Sequence, residues 1–438
     1  MFFPSSLGSK LARLGTLAHE DGEITVLLVE DSRTVRIRLR DTLQTLPGVR
    51  VLEAGTLAEA RVLLDQDAAG LFCAVLDLTL PDASGSEIVD LVSGYEVPII
   101  VLTGTLNPEV RRAVLEKRAI DYIIKSNTGA IEDVAYLVAR LRQNLRTKVL
   151  VVDDSATFRT HLSGLLTQYH FLILTAANGQ EALAQIAAHP DIVLVLTDYH
   201  MPEMDGLELI REIRRRYRRE DMAIIALSDA DHPDLSAAML KAGANDFLAK
   251  RFQSEEFFCR VTQNTNMIGY VRQLRDMATR DYLTGLYNRR HLFELGNALH
   301  ASARNGSDLQ LALAMIDADH FKRINDQFGH DAGDAALKML AATMRRTLPD
   351  SDILARFGGE EFVCLSLLPR REDAAAHFEQ LRAAVKASDL RWQGERIPLS
   401  ASIGFTTQLG ENLAMMIARA DEAVYRAKEG GRNRVVEG

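Results

Sequence analysis

Residues 26–32, VLLVEDS, return at 149–155 as VLVVDDS. The likeness continues outward from this stretch. AVLDLTLPDASG (74–85) is answered by LVLTDYHMPEMDG (194–206), IIVLTGT (99–105) by AIIALSD (223–229), and AIDYIIK (119–125) by ANDFLAK (244–250). Order and spacing match over a span too long for a solenoid repeat, so this is a duplicated domain. Within each copy the short runs are apolar throughout, as strands buried on both faces of a parallel sheet must be. In the first copy they fall near 25–29, 49–53, 73–77, 98–102 and 119–123, separated by helical patterns such as SRTVRIRLRDTLQTL and PEVRRAVLEKR. Five strands alternating with helices predict a doubly wound five-stranded parallel α/β sheet, whose functional residues gather at the carboxyl ends of the strands.

Those ends are acidic. The first copy presents Glu30, Asp31 and Asp77 with Thr103 and Lys125; the second presents Asp153, Asp154 and Asp198 with Ser228 and Lys250. Three converging carboxylates require a cation, and a hard divalent ion such as Mg²⁺ suits oxygen ligands while leaving room for a phosphate. A hydroxyl and a lysine opposite suit phosphate oxygens. Any one of these acids alone would read as a helix cap or a loop charge; the same five positions occurring twice do not.

This constellation resembles the response-regulator receiver domain, over 24–145 and 148–272. The resemblance implies that Asp77 and Asp198 accept phosphoryl groups from a histidine kinase or phosphotransfer protein. It further implies one Mg²⁺ per receiver, held by each acidic pair and its aspartate, and a switch in which Thr103 or Ser228 moves with Tyr122 or Phe247. Both copies depart from the family where its lysine is followed by proline: here Ser126 and Arg251 follow.

The 438-residue chain is long enough for several domains, and with 47% hydrophobic and 25% charged residues it has the composition of a soluble protein. Its net charge of −9 argues against broad binding to nucleic acid or an anionic membrane. No run reaches the roughly 20 apolar residues that span a bilayer. Residues 1–23 read as a leader without secretory-signal character, with a short helix around Lys10–Leu17. Cys73, Cys259 and Cys364 are far apart in sequence and lack metal-ligand spacing, as in a reduced cytoplasmic protein.

The receivers join without a Gly or Pro linker, which predicts tight coupling. A connecting helix is expected over 254–280. Its Met267, Val271, Leu274 and Ala278 follow a heptad-like 4-3-4 spacing, readable either as packing on its own domain or as a parallel dimer seam.

Residues 281–438 follow another pattern. A strand over 309–316 runs toward Asp317 and Asp319. DILARFGGEEFVCLSL reads as a hairpin, and the order strand-helix-helix-hairpin-helix-strand predicts a mixed sheet covered by helices. By itself RFGGEEF (356–362) is an ordinary charged turn. Paired alongside the 309–316 strand, it would bring Glu360 near Asp317, where two carboxylates share a divalent metal. Such a metal can activate a 3′-hydroxyl and steady charge on an α-phosphate. Gly329, Gly333 and the turn at His320–Lys322 could offer backbone N–H groups to phosphates. Asn325 and Asp334 could read a purine, and Lys428 and Arg432 could neutralise a triphosphate. Each of the last four also has an ordinary reading, as a helix cap, a solvated charge or a basic helix end.

DYLTGLYNRRHL, DADHFKRINDQFGHDAGD, RFGGEEF and AKEGGRNRV together resemble the GGDEF family of diguanylate cyclases, over about 281–436. The resemblance implies condensation of two GTP into cyclic di-GMP and two pyrophosphates, with two Mg²⁺ per GTP site. Asp317, the Ala318 carbonyl and Glu360 would hold the metals. Glu361 would act near the attacking hydroxyl as base or metal ligand. Asn325 and Asp334 would read guanine, with Phe321 also at the substrate, and Lys322, Lys428 and Arg432 would hold phosphates. The two-fold product implies a homodimer. Glu360 replaces the eponymous aspartate but keeps a carboxylate. Many members carry Arg-x-x-Asp ahead of the glycine pair as a product-binding site; here the stretch is PDSD (349–352), which predicts weak or absent product inhibition. The competing reading is a non-catalytic regulator that binds GTP or cyclic di-GMP and acts through a protein partner.

Overall fold

A computed structural model describes residues 22–438 apart from 84, 105–107, 118, 127, 128, 230–232, 307 and 308. The expected short helix near Lys10–Leu17 lies outside the described residues. The chain divides into two compact units that meet between Tyr270 and Val271.

The first unit holds two parallel sheets. One comprises β1 (Ile24–Val29), β2 (Val49–Ala54), β3 (Leu71–Leu76), β4 (Ile99–Thr103) and β5 (Ala119–Ile124), in the order β2-β1-β3-β4-β5. The other comprises β6 (Lys148–Val152), β7 (Leu172–Ala176), β8 (Ile192–Asp198), β9 (Ala223–Ser228) and β10 (Asp246–Ala249), in the equivalent order. β1, β3 and β8 are almost wholly buried, which is why their sequences lack apolar–polar alternation. Strand order reverses about β1 and about β6, so the carboxyl ends of β1 and β3, and of β6 and β8, flank a crevice.

The duplication extends to helix caps. Thr56 Oγ accepts from Glu59 N while Glu59 accepts from Gly55 N; Asn178 and Glu181 repeat the arrangement with Ala177 N. These reciprocal pairs satisfy donors that a helix start leaves open.

The two receivers share one continuous core. Val26, Leu28 and Phe72 of the first pack in the same cluster as Val149, Val151 and Phe171 of the second, with Phe257, Phe258 and Val261 from the helix Ser254–Thr279. Three residues, 145–147, separate the helix Ala130–Asn144 from β6. Tyr169 donates to the Ile120 carbonyl, Asn144 donates to the Tyr169 carbonyl, and the His170 ring bonds the Phe72 carbonyl. Arg140 reaches into the long helix at Thr262, Thr265 and Asn266. The tight coupling expected from the missing linker is therefore a packed interface.

The second unit is a mixed sheet: β11 (Gln310–Ala318), β12 (Ile353–Gly358), β13 (Glu361–Leu368), the separate pair β14 (Leu390–Trp392) and β15 (Glu395–Ile397), then β16 (Ala401–Thr406) and β17 (Val435–Glu437). The order is β12-β13-β11-β16-β17, antiparallel except for the last pair. Side chains alternate across the central strand. Ala312, Ala314 and Ile316 pack on one face with the helices His330–Thr347 and Asp373–Lys386; Leu311, Leu313 and Met315 pack on the other with Arg289–Arg304 and Leu413–Glu429.

Several expectations need correction. β11 extends through Asp317 and Ala318 rather than ending at 316, because Asp317 pairs with both neighbouring strands. The helix Arg289–Arg304, the β14–β15 pair and β17 add to the elements read from the sequence; β14, β15 and β17 are only three residues each, too short for a periodicity to register.

Candidate functional site

The turn that ends β12 explains the glycine pair. Gly359 has φ of +46°, a region that favours glycine, and Glu361 already belongs to β13. Arg356 braces the turn from below: its Nε and Nη2 donate to the Gly359 carbonyl at 3.0 and 2.8 Å, and its Nη1 donates to both oxygens of Asp281 at 3.2 Å. Asp281 also accepts from Thr284 N and Oγ1. Burial works to raise the Asp281 pKa, but these bonds outweigh it and hold the carboxyl below its ordinary value. The DYLTGL motif is thus the foundation of the acidic turn.

β13 pairs with β11 so that Asp317 lies opposite Glu361, and Ala318 N donates to the Glu360 carbonyl at 3.2 Å. By strand alternation Asp317 and Glu361 share the face covered by the helix Leu413–Glu429, which supplies Lys428. Lys428 Nζ lies 2.7 Å from Asp317 Oδ2. Burial pushes the Asp317 carboxyl up despite this lysine. Burial, and then the Asp317 charge, also push Glu360 and Glu361 up. The charge on Asp317 thus acts on both glutamates of the turn, and a cation bound there would relieve it.

Asp319 has a part the sequence did not reveal. Its carboxylate accepts from Ser402 Oγ at 2.6 Å, Ser400 Oγ at 2.8 Å and Asn433 N at 3.0 Å. It joins the end of β11, the start of β16 and the left-handed turn at Arg432 and Asn433, whose φ angles are +63° and +46°. That turn sets the backbone position of Arg432. Neither serine belongs to a recognisable motif, so sequence offered no signal for this network.

Gly329 interrupts the segment after β11, giving the helices Phe321–Phe328 and His330–Thr347. The expectation that Gly329 and Gly333 offer N–H groups to phosphates is overturned. Gly329 N donates to the Asn325 carbonyl, and Gly333 N to the Gly329 carbonyl. Gly333 serves by lacking a side chain: a Cβ there would collide with Asn325 Oδ1, and Phe321 also lies close. Asn325 therefore sits over Gly333, next in sequence to the exposed Asp334, while Lys322 and Arg432 are exposed.

In the first receiver, Lys125 Nζ lies 2.6 Å from Asp77 Oδ2 and 2.7 Å from Glu30 Oε2. In the second, Lys250 Nζ lies 2.8 Å from Asp153 Oδ2 and 2.9 Å from Asp198 Oδ2. Burial works against both lysine charges, but the carboxylate bonds outweigh it and keep both pKa values raised. Burial likewise lifts the Glu30 and Asp198 carboxyls. Carboxylate oxygens of Glu30, Asp31 and Asp77 lie within 4.8 Å of one another, as do those of Asp153, Asp154 and Asp198, an oxygen set that fits a hard divalent ion. Thr103 and Ser228 end β4 and β9, and both are buried. Tyr122 is buried, whereas Phe247 is half-buried. Replacing the customary proline by Ser126 and Arg251 leaves the lysines in place: Lys125 N and Lys250 N donate to the Thr103 and Ser228 carbonyls.

Comparison with known proteins agrees with this geometry. The model described as "Response regulator receiver domain" matches residues 26–134 and 149–262, about half of the chain. That described as "Diguanylate cyclase, GGDEF domain" matches 278–434. The Response regulator PleD of Caulobacter vibrioides is 27% identical over 94% of this chain and 98% of its own. Diguanylate cyclase DgcP of Pseudomonas aeruginosa is 44% identical over 38% of this chain and 25% of its own. A diguanylate cyclase of Vibrio cholerae is 36% identical over 40% of this chain and 54% of its own. The chain belongs to the response-regulator family, with two receiver domains ahead of a GGDEF diguanylate cyclase domain.

Proposed function

We propose that phosphorylation of Asp77 or Asp198 controls the condensation of two GTP into cyclic di-GMP and two pyrophosphates at the acidic end of β11. The observation that carries this reading is the pairing of Asp317 with Glu361, which sets the GGEEF turn beside the end of the central strand.

In this reading each 3′-hydroxyl attacks the α-phosphorus of the opposite GTP. A phosphodiester bond forms, the bond to pyrophosphate breaks, and the hydroxyl proton passes toward Glu361 or solvent. Asp317, the Ala318 carbonyl and Glu360 would hold Mg²⁺, two ions per GTP. A bound Mg²⁺ lowers charge on the phosphate oxygens and polarises the attacking hydroxyl. Lys428, Lys322 and Arg432 neutralise phosphates. Asp334 accepts from the guanine N1–H and amino group beside Asn325, and Phe321 lines the pocket. In each receiver one Mg²⁺ would sit among the three carboxylates. The lysine that bridges them would then partner the incoming phosphoryl oxygens, with Thr103 or Ser228 on the same group.

Because the product is two-fold symmetric and each domain binds one GTP, two chains act together. The helix Ser254–Thr279 exposes Met267, Tyr270, Leu274 and Met277, each more than half accessible, a repeat suited to a second copy. The phosphoryl donor is a histidine kinase or phosphotransfer protein, and the setting is the cytoplasm, where GTP is available. Among the described residues no helix is long and apolar enough to cross a membrane.

The test is nucleotide separation after incubation with GTP and Mg²⁺, with and without beryllofluoride, for the unaltered chain and for Asp77→Asn and Asp198→Asn. Activation lost in at least one variant supports receiver control. Activation that survives in both single variants and in the double variant Asp77→Asn/Asp198→Asn would show that neither receiver governs the cyclase.

A further inference from the structure

Away from the acidic turn, four side chains outside the cyclase chemistry converge beside the β12–β13 pair. Asp352 immediately precedes β12, Cys364 and Ser366 lie on β13, and His377 lies on the helix Asp373–Lys386. Asp352 Oδ2 is 2.9 Å from His377 Nε2, 2.7 Å from Ser366 Oγ and 3.7 Å from Cys364 Sγ. Ser366 Oγ is in turn 3.1 Å from His377 Nε2 and 3.3 Å from Cys364 Sγ. Ligand atoms of Asp352, Cys364 and His377 all lie within 4.8 Å of one another. A tetrahedral ion with ligands at about 2.0–2.3 Å holds neighbouring ligand atoms about 3.3–3.8 Å apart. These four atoms therefore already stand near the corners of such a site and need only spread slightly to seat an ion.

Charge points the same way. Cys364 and Ser366 are fully buried, and only 3% of the Asp352 side chain is accessible. Among the described residues the ion-pair partner of Asp352 is His377, which is charged only when protonated. A carboxylate and a thiolate around a divalent ion form a neutral set, which a buried location favours. Nitrogen, sulfur and oxygen donors together suit zinc far better than Mg²⁺, which takes oxygen alone.

We propose that Asp352, Cys364 and His377 bind one Zn²⁺, with the Ser366 hydroxyl at the fourth position. Binding displaces the thiol proton of Cys364 to solvent, and the imidazole coordinates through Nε2 with its proton on Nδ1. The ion fastens the start of β12, the middle of β13 and the helix Asp373–Lys386 to one another. Cys364 lies three residues along β13 from Glu361, so this clasp steadies the hairpin that carries the acidic turn. It also occupies Asp352, the aspartate of the PDSD stretch.

The full chain, freed of metal with a chelator and returned to Mg²⁺ buffer, is titrated with Co²⁺ as a spectroscopic probe. The expected result is a thiolate-to-cobalt charge-transfer band that saturates at one equivalent and is discharged by Zn²⁺. The band is lost in Cys364→Ser and kept in Cys259→Ser. In His377→Gln, at a partly exposed position, Co²⁺ binding weakens about tenfold or more; this variant decides the matter if Cys364→Ser does not fold. A wild-type chain without the band, a band that survives Cys364→Ser, or unchanged affinity in His377→Gln would each leave the four residues as a hydrogen-bond network only and overturn the assignment.

Discussion

Lys428 and Asp317 meet at 2.7 Å, and the same pairing of lysine with buried aspartate recurs in both receivers, at 2.6 Å for Lys125 and Asp77 and 2.9 Å for Lys250 and Asp198. Each lysine compensates an acidic cluster that a metal and a phosphate would otherwise balance. Lys428→Met should therefore lower cyclase kcat/KM by about 10²-fold, the scale for losing one preorganised electrostatic contact. Circular dichroism should remain unchanged, because Lys428 is only partly buried. Steady-state rates against GTP concentration check this.

Asp319→Ala should both destabilise the second unit and impair GTP binding. It removes the acceptor for Ser400, Ser402 and Asn433 N, leaving the buried Ser402 hydroxyl and two half-buried donors unpaired, a loss of about 2–4 kcal/mol. Urea unfolding measures the first effect. A raised KM for GTP measures the second, through the displaced Arg432 turn.

Gly333→Ala gives a sign opposite to helix propensity. Alanine in a helix interior ordinarily gains about 0.5–1 kcal/mol over glycine. Here the new Cβ meets Asn325 Oδ1, so Asn325 must move. The expected outcome is no gain in Tm together with a weakened preference for GTP over ATP, read from competition assays.

The Arg356–Asp281 brace carries a pH dependence. The folded Asp281 pKa lies below its unfolded value, so its contribution is fully present above the unfolded value, near 3.8, and is lost as pH falls through the lower folded value. Unfolding free energies of the unaltered chain and Asp281→Asn, from urea titrations at each pH, should differ by about 1–3 kcal/mol at neutral pH and converge in acid.

Product inhibition should be absent at the PDSD stretch. Asp352 is engaged by Ser366 and His377, and no arginine stands three residues ahead of it. Initial rates with added cyclic di-GMP should show only competition with GTP. Noncompetitive inhibition that disappears in Asp352→Asn would contradict this.

Much of this was legible in the sequence because the signals were local. The repeated apolar runs mark strands buried on both faces, and their ends carry Glu30, Asp77, Asp153 and Asp198 directly. The glycine pair before Glu360 marks a turn. What escaped reading depends on contacts across the fold. Asp319 is satisfied by serines some 80 residues away in sequence. Gly333 resembles a phosphate-loop glycine until Asn325 is seen above it. Cys364 lacks metal spacing along the chain, and only the sheet register and a helix bring Asp352 and His377 to it.

If Asp317 and the carboxylates of the 358–361 turn act together on GTP with a divalent ion, as proposed, removing either charge must cost product. The most direct test is cyclic di-GMP formation, quantified by nucleotide chromatography across a Mg²⁺ titration, for the unaltered chain, Asp317→Asn and Glu360→Gln. Mg²⁺-dependent product is expected from the unaltered chain, with a loss of about 10²-fold or more in each variant while folding is retained. Undiminished product from Glu360→Gln and Asp317→Asn at the same Mg²⁺ concentration would contradict this.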